Sequence, residues 1–447
     1  MQEIFYALDL ENDITTVGEG SLTSCFAVTD LATTAIGAVG KALSALINEL
    51  GGYKTAPHVT VDRKLSSLWF ASSISPVDWE MPPLWDAIAG DYEAKDGWIK
   101  LHTNLPHHRA AALTVLSSSA DKSSVATAIK NWGVDDLETA IIENGGVAAA
   151  MRSYAAWKKH PQGKAVAVEP LIQWTRIHQR KIRNFTTVAD RPLSGLRVLD
   201  LTRVLAGPVA TRTLAGFGAN VLRIDPFGWD EPNIVPDVTL GKRCCRLNLH
   251  DQEARVTFKK LLQSADILVH GYRPGALEQL GYTEAVRRQI SPDLIEVTLD
   301  AYGWTGPWAT RRGFDSLVQM SCGIAHAGMD WAGSNQPTPL PVQALDHATG
   351  YLMAAAVIRA VLNAVRGEGV SCAKLSLART AELLLKKPHN NSRAMPLSPS
   401  SSDYCDHKES TPWGKALLLK APLHIEGAPM RWSRPACELG SDDPHWG

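Results

Sequence analysis

The sequence predicts an α/β protein with an open parallel sheet and a second, smaller α/β domain. Residues 198–201 form a short apolar run with the length and β-branched character of a buried strand. Gly207 and Pro208 then break the chain before a segment of helical period, and a second strand follows at 221–224. Strand, turn, helix and strand in this order form one Rossmann-like βαβ unit, so we expect a parallel sheet. Short helices predicted over 107–152 indicate the smaller domain.

The turn of this unit could bind an anion. Backbone N–H groups at the start of a helix point to where a phosphate or carboxylate would sit. The glycines do not form G-x-G-x-x-G, so the stretch alone leaves two interpretations open, a generic scaffold and an anion site. The formal net charge is −1, which argues against a nucleic-acid surface. Any attraction for an anion must therefore be local.

Bulk composition is that of an ordinary globular protein rather than of a disordered or fibrous one. Its 447 residues suffice for about two or three domains, and 45% of them are hydrophobic. The seven cysteines lack CxxC spacing, and His102, His107 and His108 lack metal-ligand spacing, so we expect neither disulfides nor a metal. The N-terminus carries acids where a signal peptide needs a basic flank, and we expect no apolar stretch to reach the length of a membrane span. These features predict a soluble cytoplasmic protein with no membrane partner.

Three segments are predicted along the chain. Residues 1–190 contain helix and strand patterns and the small domain, and 191–385 contain the main α/β domain. Residues 386–447 comprise a flexible Pro/Ser/Asn-rich loop over 386–410 and a C-terminal tail, which could be a hairpin or a strap onto the core.

An internal repeat is predicted at an offset of 316. The 41 positions of 28–68 align without a gap with 344–384, and eight are identical, Asp30 with Asp346 among them. The chain would then begin midway through one repeat unit and end midway through a second one. The first unit would supply its C-terminal half, and the second unit its N-terminal half. We expect Asp30 to be a vestigial helix cap.

Five blocks in order carry a more specific signal. They are LSGLRVLDLTRVLAGP with GANVLRIDP, GKR, SADILVHGYRPGALEQLG, PDLIEVTLDAYGWTGPWATRRGFDSLVQMSCG, and ALDHATGYLMAAA. They closely resemble the family III CoA-transferases, a superfamily that includes formyl-CoA and carnitine CoA-transferases and α-methylacyl-CoA racemase. The resemblance implies a coenzyme A (CoA)-binding catalytic domain over 191–385. Residues 91–104 resemble the start of the family's small domain, which normally follows the catalytic helix, so the chain would be a permuted or fused-and-trimmed member with 1–190 as a partial unit.

The resemblance places the catalytic nucleophile on Asp346. From the residues alone, an Asp at the start of an alanine-rich helix is more often an N-cap, and the resemblance reverses that preference in favour of a nucleophile. As a nucleophile, it would be ionised near neutral pH and need no general base. The implied reaction transfers CoA from an acyl-CoA to a carboxylic acid through a mixed anhydride and an aspartyl-CoA thioester. Gly323 and Gly350 would let backbone approach the thioester.

The CoA contacts implied by the resemblance are less specific. Arg223 and Arg312 are candidate phosphate or carboxylate partners, and Lys242 with Arg243 could serve similarly. The positions that match the family's CoA-binding loop and nucleotide pocket are Arg203, Val204, Leu205, Ala206, Leu247, Gly271, Tyr272 and Arg273.

Two alternatives to the transferase stay open. The first is a racemase or epimerase of α-branched acyl-CoA, in which a histidine of the family acts as a base. That histidine position falls on Phe314, which cannot accept a proton, although His326 or His347 could substitute. The second alternative is a protein that binds CoA without catalysing a reaction. Leu205 replaces a glutamine of formyl-CoA transferase, which makes formyl or oxalyl transfer doubtful. The expected partners are a small acyl-CoA and a carboxylic acid, with a possible homodimer because relatives form interlocked dimers.

Overall fold

The computed structural model describes residues 1–51, 55–178, 187–188, 190–386 and 397–447. Its helices are α1 (Gln2–Ala7), α2 (Val28–Glu49), α3 (Arg63–Trp69), α4 (Pro106–Leu116), α5 (Lys122–Ile129), α6 (Val134–Glu143), α7 (Tyr154–Lys159), α8 (Pro161–Val168), α9 (Ala206–Gly216), α10 (Val235–Val238), α11 (Gln252–Ser264), α12 (Ala276–Gln279), α13 (Glu284–Ile290), α14 (Asp315–Cys322), α15 (Ile324–Ala332), α16 (Ala344–Val365) and α17 (Leu377–Leu385). Its strands are β1 (Thr15–Val17), β2 (Val59–Asp62), β3 (Ile74–Pro76), β4 (Gly90–Glu93), β5 (Trp98–Leu101), β6 (Ala148–Ala150), β7 (Gln173–His178), β8 (Arg197–Leu201), β9 (Asn220–Asp225), β10 (Arg243–Arg246), β11 (Ile267–His270), β12 (Ile295–Asp300), β13 (Val370–Ser376), β14 (Tyr404–Thr411), β15 (Gly414–Leu419) and β16 (Leu423–Ile425).

A seven-stranded sheet forms the main domain, in the order β10-β9-β8-β11-β12-β13-β7. All neighbours pair in parallel except β7, which is antiparallel to β13. After β10 the chain returns to the other side of β8, so the strand order reverses between β8 and β11. Ligands of open α/β sheets bind beyond the carboxyl ends of the strands at such a switch point. The predicted α/β class with an open parallel sheet is confirmed.

The smaller domain packs three helices on a second sheet. Strands β4, β5 and β6 pair antiparallel, and α4, α5 and α6 supply the side chains that close a separate core around Ile99, Ile129 and Ile141. This is the predicted second domain. The main hydrophobic core, in contrast, runs from Ile4 to Met430, so the three predicted segments share it.

Two parts of the chain have the same arrangement of elements. Helices α2 and α16 both begin and end 316 residues apart (28 + 316 = 344; 49 + 316 = 365) and pack against each other. Each is followed by a strand with one parallel and one antiparallel neighbour: β2 between β1 and β16, and β13 between β12 and β7. The repeat itself stays a prediction. In each case the antiparallel neighbour comes from the other half of the chain: β16 pairs with β2, and β7 pairs with β13.

Helices α2 and α16 are long and apolar enough to cross a membrane by length and composition. The expectation that no stretch reaches this length was therefore wrong. Their most apolar windows are 78% and 89% buried inside the protein, because alanine-rich helices that are apolar all round pack closely in a core.

The C-terminal segment is more regular than its composition predicted. Residues 387–396, the first part of the predicted loop, lie outside the described residues. Residues 404–410 were also expected in that loop, but they form most of β14, which pairs antiparallel with β15 as a hairpin. Strand β3 from the N-terminal third then adds to β15. The tail is thus both a hairpin and a connection onto the rest of the protein.

Candidate active site

Asp346 lies in the first turn of α16, but it does not cap that helix. The helix begins at Ala344, and the carboxylate of Asp315 accepts the N–H groups of Leu345 at 2.8 Å and of Asp346 at 2.9 Å. Gln319 donates to the other oxygen of Asp315. The N-cap interpretation of Asp346 was therefore wrong, since a second carboxylate supplies the cap and leaves that of Asp346 for another role.

Two cavities meet at Asp346, which is buried, with only 7% of its surface exposed to solvent. Val204 and Phe314 also line both. We call the first, of about 320 Å³, the arginine cavity; among the residues that line it are Arg203, Val204, Ala206, Trp229, Gly271, Tyr272, Arg273, Asp300, Arg311 and Arg312. We call the second, of about 280 Å³, the tryptophan cavity; among the residues that line it are Leu84, Trp85, Asp86, His102, Leu205, Trp229, Glu231, Ile234, Phe314 and Asp315.

The arginine cavity holds most of the predicted CoA contacts. The Arg203 guanidinium donates to the Tyr272 hydroxyl at 2.9 Å and lies 4.3 Å from the centre of the Trp229 ring. Burial, together with the nearby charge of Arg273, lowers the pKa of Arg312. Cations that face one another across a cavity favour an anion between them. The cavity therefore has the charge that a phosphate-bearing ligand such as CoA requires.

Two of the cationic side chains that were predicted to bind the ligand, those of Arg223 and Lys242, line neither cavity. Arg223 is fully buried and donates to Asp225 at 2.8 Å and 3.0 Å and to Glu231 at 2.9 Å. Lys242 is fully buried and pairs with Asp200 at 3.0 Å. Their charges are already matched by carboxylates inside the protein, so the predicted ligand role is wrong for both.

Three further predicted site residues have a structural role instead of a ligand contact: Leu247, Gly323 and Gly350. Leu247 is buried in a hydrophobic cluster against the sheet and lines neither cavity. A Cβ at Gly323 would lie 2.3 Å from the backbone N of Tyr154, so this glycine admits the start of α7. A Cβ at Gly350 would lie 2.4 Å from the carbonyl oxygen of Ala206, so this glycine admits the first turn of α9. Both glycines serve chain packing.

The loop that joins β8 to α9 is strained beside Asp346. Val204 has φ = +64°, a conformation that β-branched residues rarely adopt. Its N–H donates to Glu231 at 2.7 Å, and Arg223 holds Glu231 in turn. Backbone strain of this kind persists only where the surroundings fix it, and it is concentrated at ligand sites. The buried ion cluster thus positions the loop that separates the two cavities.

Burial makes both carboxyl groups at the start of α16 weak acids. Burial and the neighbouring Asp315 raise the pKa of Asp346 well above its usual value. Burial likewise raises the pKa of Asp315 to about 6, although Gln319 and the two N–H groups oppose the shift. The expected ionisation of Asp346 near neutral pH is therefore opposed in the folded protein, because the lack of water and the like charge of Asp315 favour the neutral acid.

Asp300 is a site residue that the sequence analysis missed. Its Oδ1 accepts the N–H of Gly303 at 2.8 Å, whereas Oδ2 is buried and has no hydrogen-bond partner among the residues that the structure describes. The residue lines the arginine cavity. Burial, with a contribution from Glu169, raises its pKa to about 8. At neutral pH it can both donate and accept a hydrogen bond, as an amide ligand requires.

The small domain contributes histidines that were set aside at the sequence level. The His102 ring stacks on Phe314 at 4.0 Å and meets Trp85 edge-on at 5.6 Å. Burial, followed by the charges of His108 and Lys100, lowers the pKa of His102 to about 3. The run HTNLPHH, directly after β5, is the signal that could have located them.

The histidines proposed as substitutes for a racemase base lie away from the two cavities. His347 is buried against Phe70 at 5.2 Å, and burial lowers its pKa to about 3. His326 pairs with Asp330 along its own helix at 3.2 Å. Neither lines the arginine or the tryptophan cavity.

The fold and these cavities define an α/β protein with a cationic crevice beside a buried carboxylate. Residues 193–408 match the model of CoA-transferase family III, which supports membership of that family. The acetyl-coenzyme A transferase nodX of Hypoxylon pulicicidum is 35% identical over 184 residues, 40% of this chain and 31% of that protein. The succinyl-CoA:glutarate CoA-transferase of Mus musculus is 31% identical over 202 residues, 42% of this chain and 46% of that protein.

A solved structure is also similar over part of the chain. It is the crystal structure of a hypothetical protein from Mycobacterium tuberculosis, 29% identical, with a TM-score of 0.39 over 43% of this chain and 56% of that one. The chain therefore spans only part of each of these relatives.

Proposed function

We propose that the protein is an acyl-CoA:carboxylate CoA-transferase with Asp346 as its nucleophile. The observation that carries the proposal is the position of Asp346 at the junction of the arginine and tryptophan cavities. A nucleophile that exchanges two carboxylic acids on one CoA must reach the thioester and the acyl group together. Asp346 lines both cavities, and the first turn of α16 holds it there.

The reaction would proceed in balanced steps. A carboxylate oxygen of Asp346 attacks the thioester carbonyl, the C–S bond breaks, and CoA leaves as a thiolate. The thiolate attacks the aspartyl carbonyl of the mixed anhydride and releases the donor acid, which leaves an aspartyl-CoA thioester. The acceptor carboxylate reverses these two steps, so acyl-CoA forms and Asp346 is regenerated.

The surrounding residues would orient the partners and exclude water. Arg203, Arg273 and Arg312 supply charge for the phosphates of CoA at the cavity wall. Asp300 offers a neutral carboxyl group to a polar atom of the ligand. Burial of Asp346 protects the anhydride and thioester from hydrolysis, which an exposed carboxylate would not.

The racemase alternative has less support. It needs a base facing the α-carbon, and the imidazole beside Phe314, that of His102, has a pKa of about 3, too low for an efficient base near neutral pH. Solvent deuterium entering the α-position without an acceptor acid would favour it nonetheless.

The test is intact-mass analysis after incubation with common acyl-CoA esters, followed by peptide mapping. The wild type should carry a CoA adduct on the peptide with Asp346, and Asp346→Asn should not. Asp30→Asn is the matched control, since Asp30 holds the equivalent place in α2 but pairs with Arg63 at 2.7 Å. It should form the adduct normally. No adduct under conditions where CoA binds would overturn the transferase mechanism, and CoA binding with Asp346→Asn like wild type in every assay would indicate a non-catalytic binder.

A further inference from the structure

The two cavities at Asp346 differ in charge. Arginines gather in the arginine cavity, whereas the tryptophan cavity presents carboxylates, those of Asp86, Asp230, Glu231, Asp315 and Asp346. All the residues that line the tryptophan cavity fall within the described ranges, and none of them is arginine or lysine. Whatever part of a substrate enters it therefore meets a wall of neutral to negative charge.

The cations that pair with these acids stand outside the cavity. Asp86 faces Arg109 at 3.3 Å and accepts from Thr103 at 2.8 Å. Glu231 accepts from Arg223 at 2.9 Å, in the buried cluster that also contains Asp225. Because each cation already has its carboxylate, none is available to a second carboxylate on a substrate.

The rest of the wall combines apolar and aromatic side chains with a few polar ones that are not acidic, namely His102, Asn104, Asn233, Ser316 and Gln343. Trp85, Trp229 and Phe314 line it together with Leu84, Leu205 and Ile234. The ammonium group of Lys100 lies 5.7 Å from the Trp85 ring, but it is paired with Asp91 at 2.8 Å and does not line the cavity. Aromatic side chains of this kind gain most from flat or branched apolar groups.

We propose, on the basis of the transferase function above, that the acyl groups exchanged at Asp346 are uncharged and apolar. The acceptor is then a monocarboxylic acid with a branched or aromatic body, and dicarboxylic acids are rejected. A second carboxylate would lose its hydration against the acids of this wall without gaining a cationic partner among the residues that line it. The apolar body, in contrast, would replace water against tryptophan and phenylalanine.

The experiment compares acceptor acids with the acyl-CoA that labels Asp346 as the donor. Isobutyrate, phenylacetate, succinate, glutarate and γ-butyrobetaine are supplied separately, and the new acyl-CoA is quantified by mass spectrometry. We expect kcat/KM for the best monocarboxylate to exceed that for either dicarboxylate by at least about tenfold. A preference for a dicarboxylate, or for the cationic betaine, would overturn the inference.

A charge-gain variant makes the test sharper. Leu84 lines the cavity, is 49% exposed, and holds Asn104 and Asn233 only through its carbonyl oxygen, so its side chain can be replaced with little effect on folding. Leu84→Arg should raise the ratio of dicarboxylate to monocarboxylate turnover, whereas Leu84→Gln, similar in length but neutral, should leave that ratio unchanged. An unchanged ratio in Leu84→Arg, with wild-type CoA binding, would contradict the role given to charge. Failure of every acid while CoA still binds would overturn the proposed function and the inference with it.

Discussion

The Asp315 carboxylate accepts the backbone N–H of Asp346 at 2.9 Å, so one buried carboxylate fixes the helix turn that carries another. The arrangement positions Asp346 and also opposes its ionisation, since the two charges would be close in a site with little water. The cap and the reactivity of the nucleophile are therefore coupled.

This coupling predicts the pH dependence of catalysis. Because the pKa of Asp346 is raised, kcat/KM should increase with pH as the carboxylate forms. Asp315→Asn keeps an oxygen that can accept the N–H bonds but removes the like charge, so the acidic limb of the profile should move to lower pH. Steady-state kinetics from pH 5 to about 9 would measure it. A profile that stays in place or moves to higher pH would contradict the coupling.

Asp300 should make the stability of the protein depend on pH. Its pKa of about 8 in the folded chain exceeds the unfolded value of about 3.9, so the stability linked to its neutral form is fully present below the unfolded value and is lost as pH rises through about 8. Asp300→Asn cannot ionise and should lose less stability over this range. Urea unfolding at pH 6 and 9 would compare the two proteins. Equal losses in both would mean that Asp300 is ionised at lower pH than its burial implies.

Gly350→Ala should damage both folding and activity. The new Cβ would lie 2.4 Å from the carbonyl oxygen of Ala206, which is backbone and cannot turn away. We expect a loss of about 1–3 kcal/mol in the free energy of unfolding, and slower CoA transfer as the loop with Val204 is displaced. Chemical denaturation and rate assays would test this. Gly97→Ala is the control, since its Cβ would meet only Val134 at an ordinary 3.5 Å.

Arg203→Ala should weaken CoA binding by about tenfold, because it removes a cation stacked on Trp229 and bonded to Tyr272. Titration calorimetry with free CoA gives the Kd directly. Arg255 is also stacked, over Tyr282 at 5.6 Å, but lines neither cavity. Arg255→Ala should therefore bind CoA like the wild type; equal weakening in both variants would point to a general loss of stability.

Local patterns were enough to predict the parallel sheet and the helix of Asp346. The βαβ unit could be recognised because a change from strand to helical period is encoded by neighbouring residues. Arg223 shows the limit of that reasoning. The sequence analysis made Arg223 a ligand-binding residue because of its charge alone. Asp225 lies two residues later, and side chains two residues apart in a strand lie on the same face, so the two side chains form an ion pair. That spacing was readable in the sequence.

Other features depend on residues distant in the chain. The cap of α16 comes from Asp315, 31 residues before Asp346, and its charge adds to the effect of burial in raising the pKa of Asp346, which no local motif indicates. The stack of His102 on Phe314 joins the small domain to the main one across 212 positions (314 − 102). Such contacts exist only once the chain has folded, so spacing could not reveal them.

The exchange of outer strands between the two halves also bears on how the chain is made. Val61 of β2 pairs with Leu423 of β16, so 362 residues (423 − 61) leave the ribosome before this edge is closed. Trp174 of β7 similarly waits for Ala373 of β13. Until then, open strand edges are available to other nascent chains, and pairings of such long sequence separation form slowly. The yield of active protein should thus depend more on the rate of translation and on chaperones than on the stability finally reached.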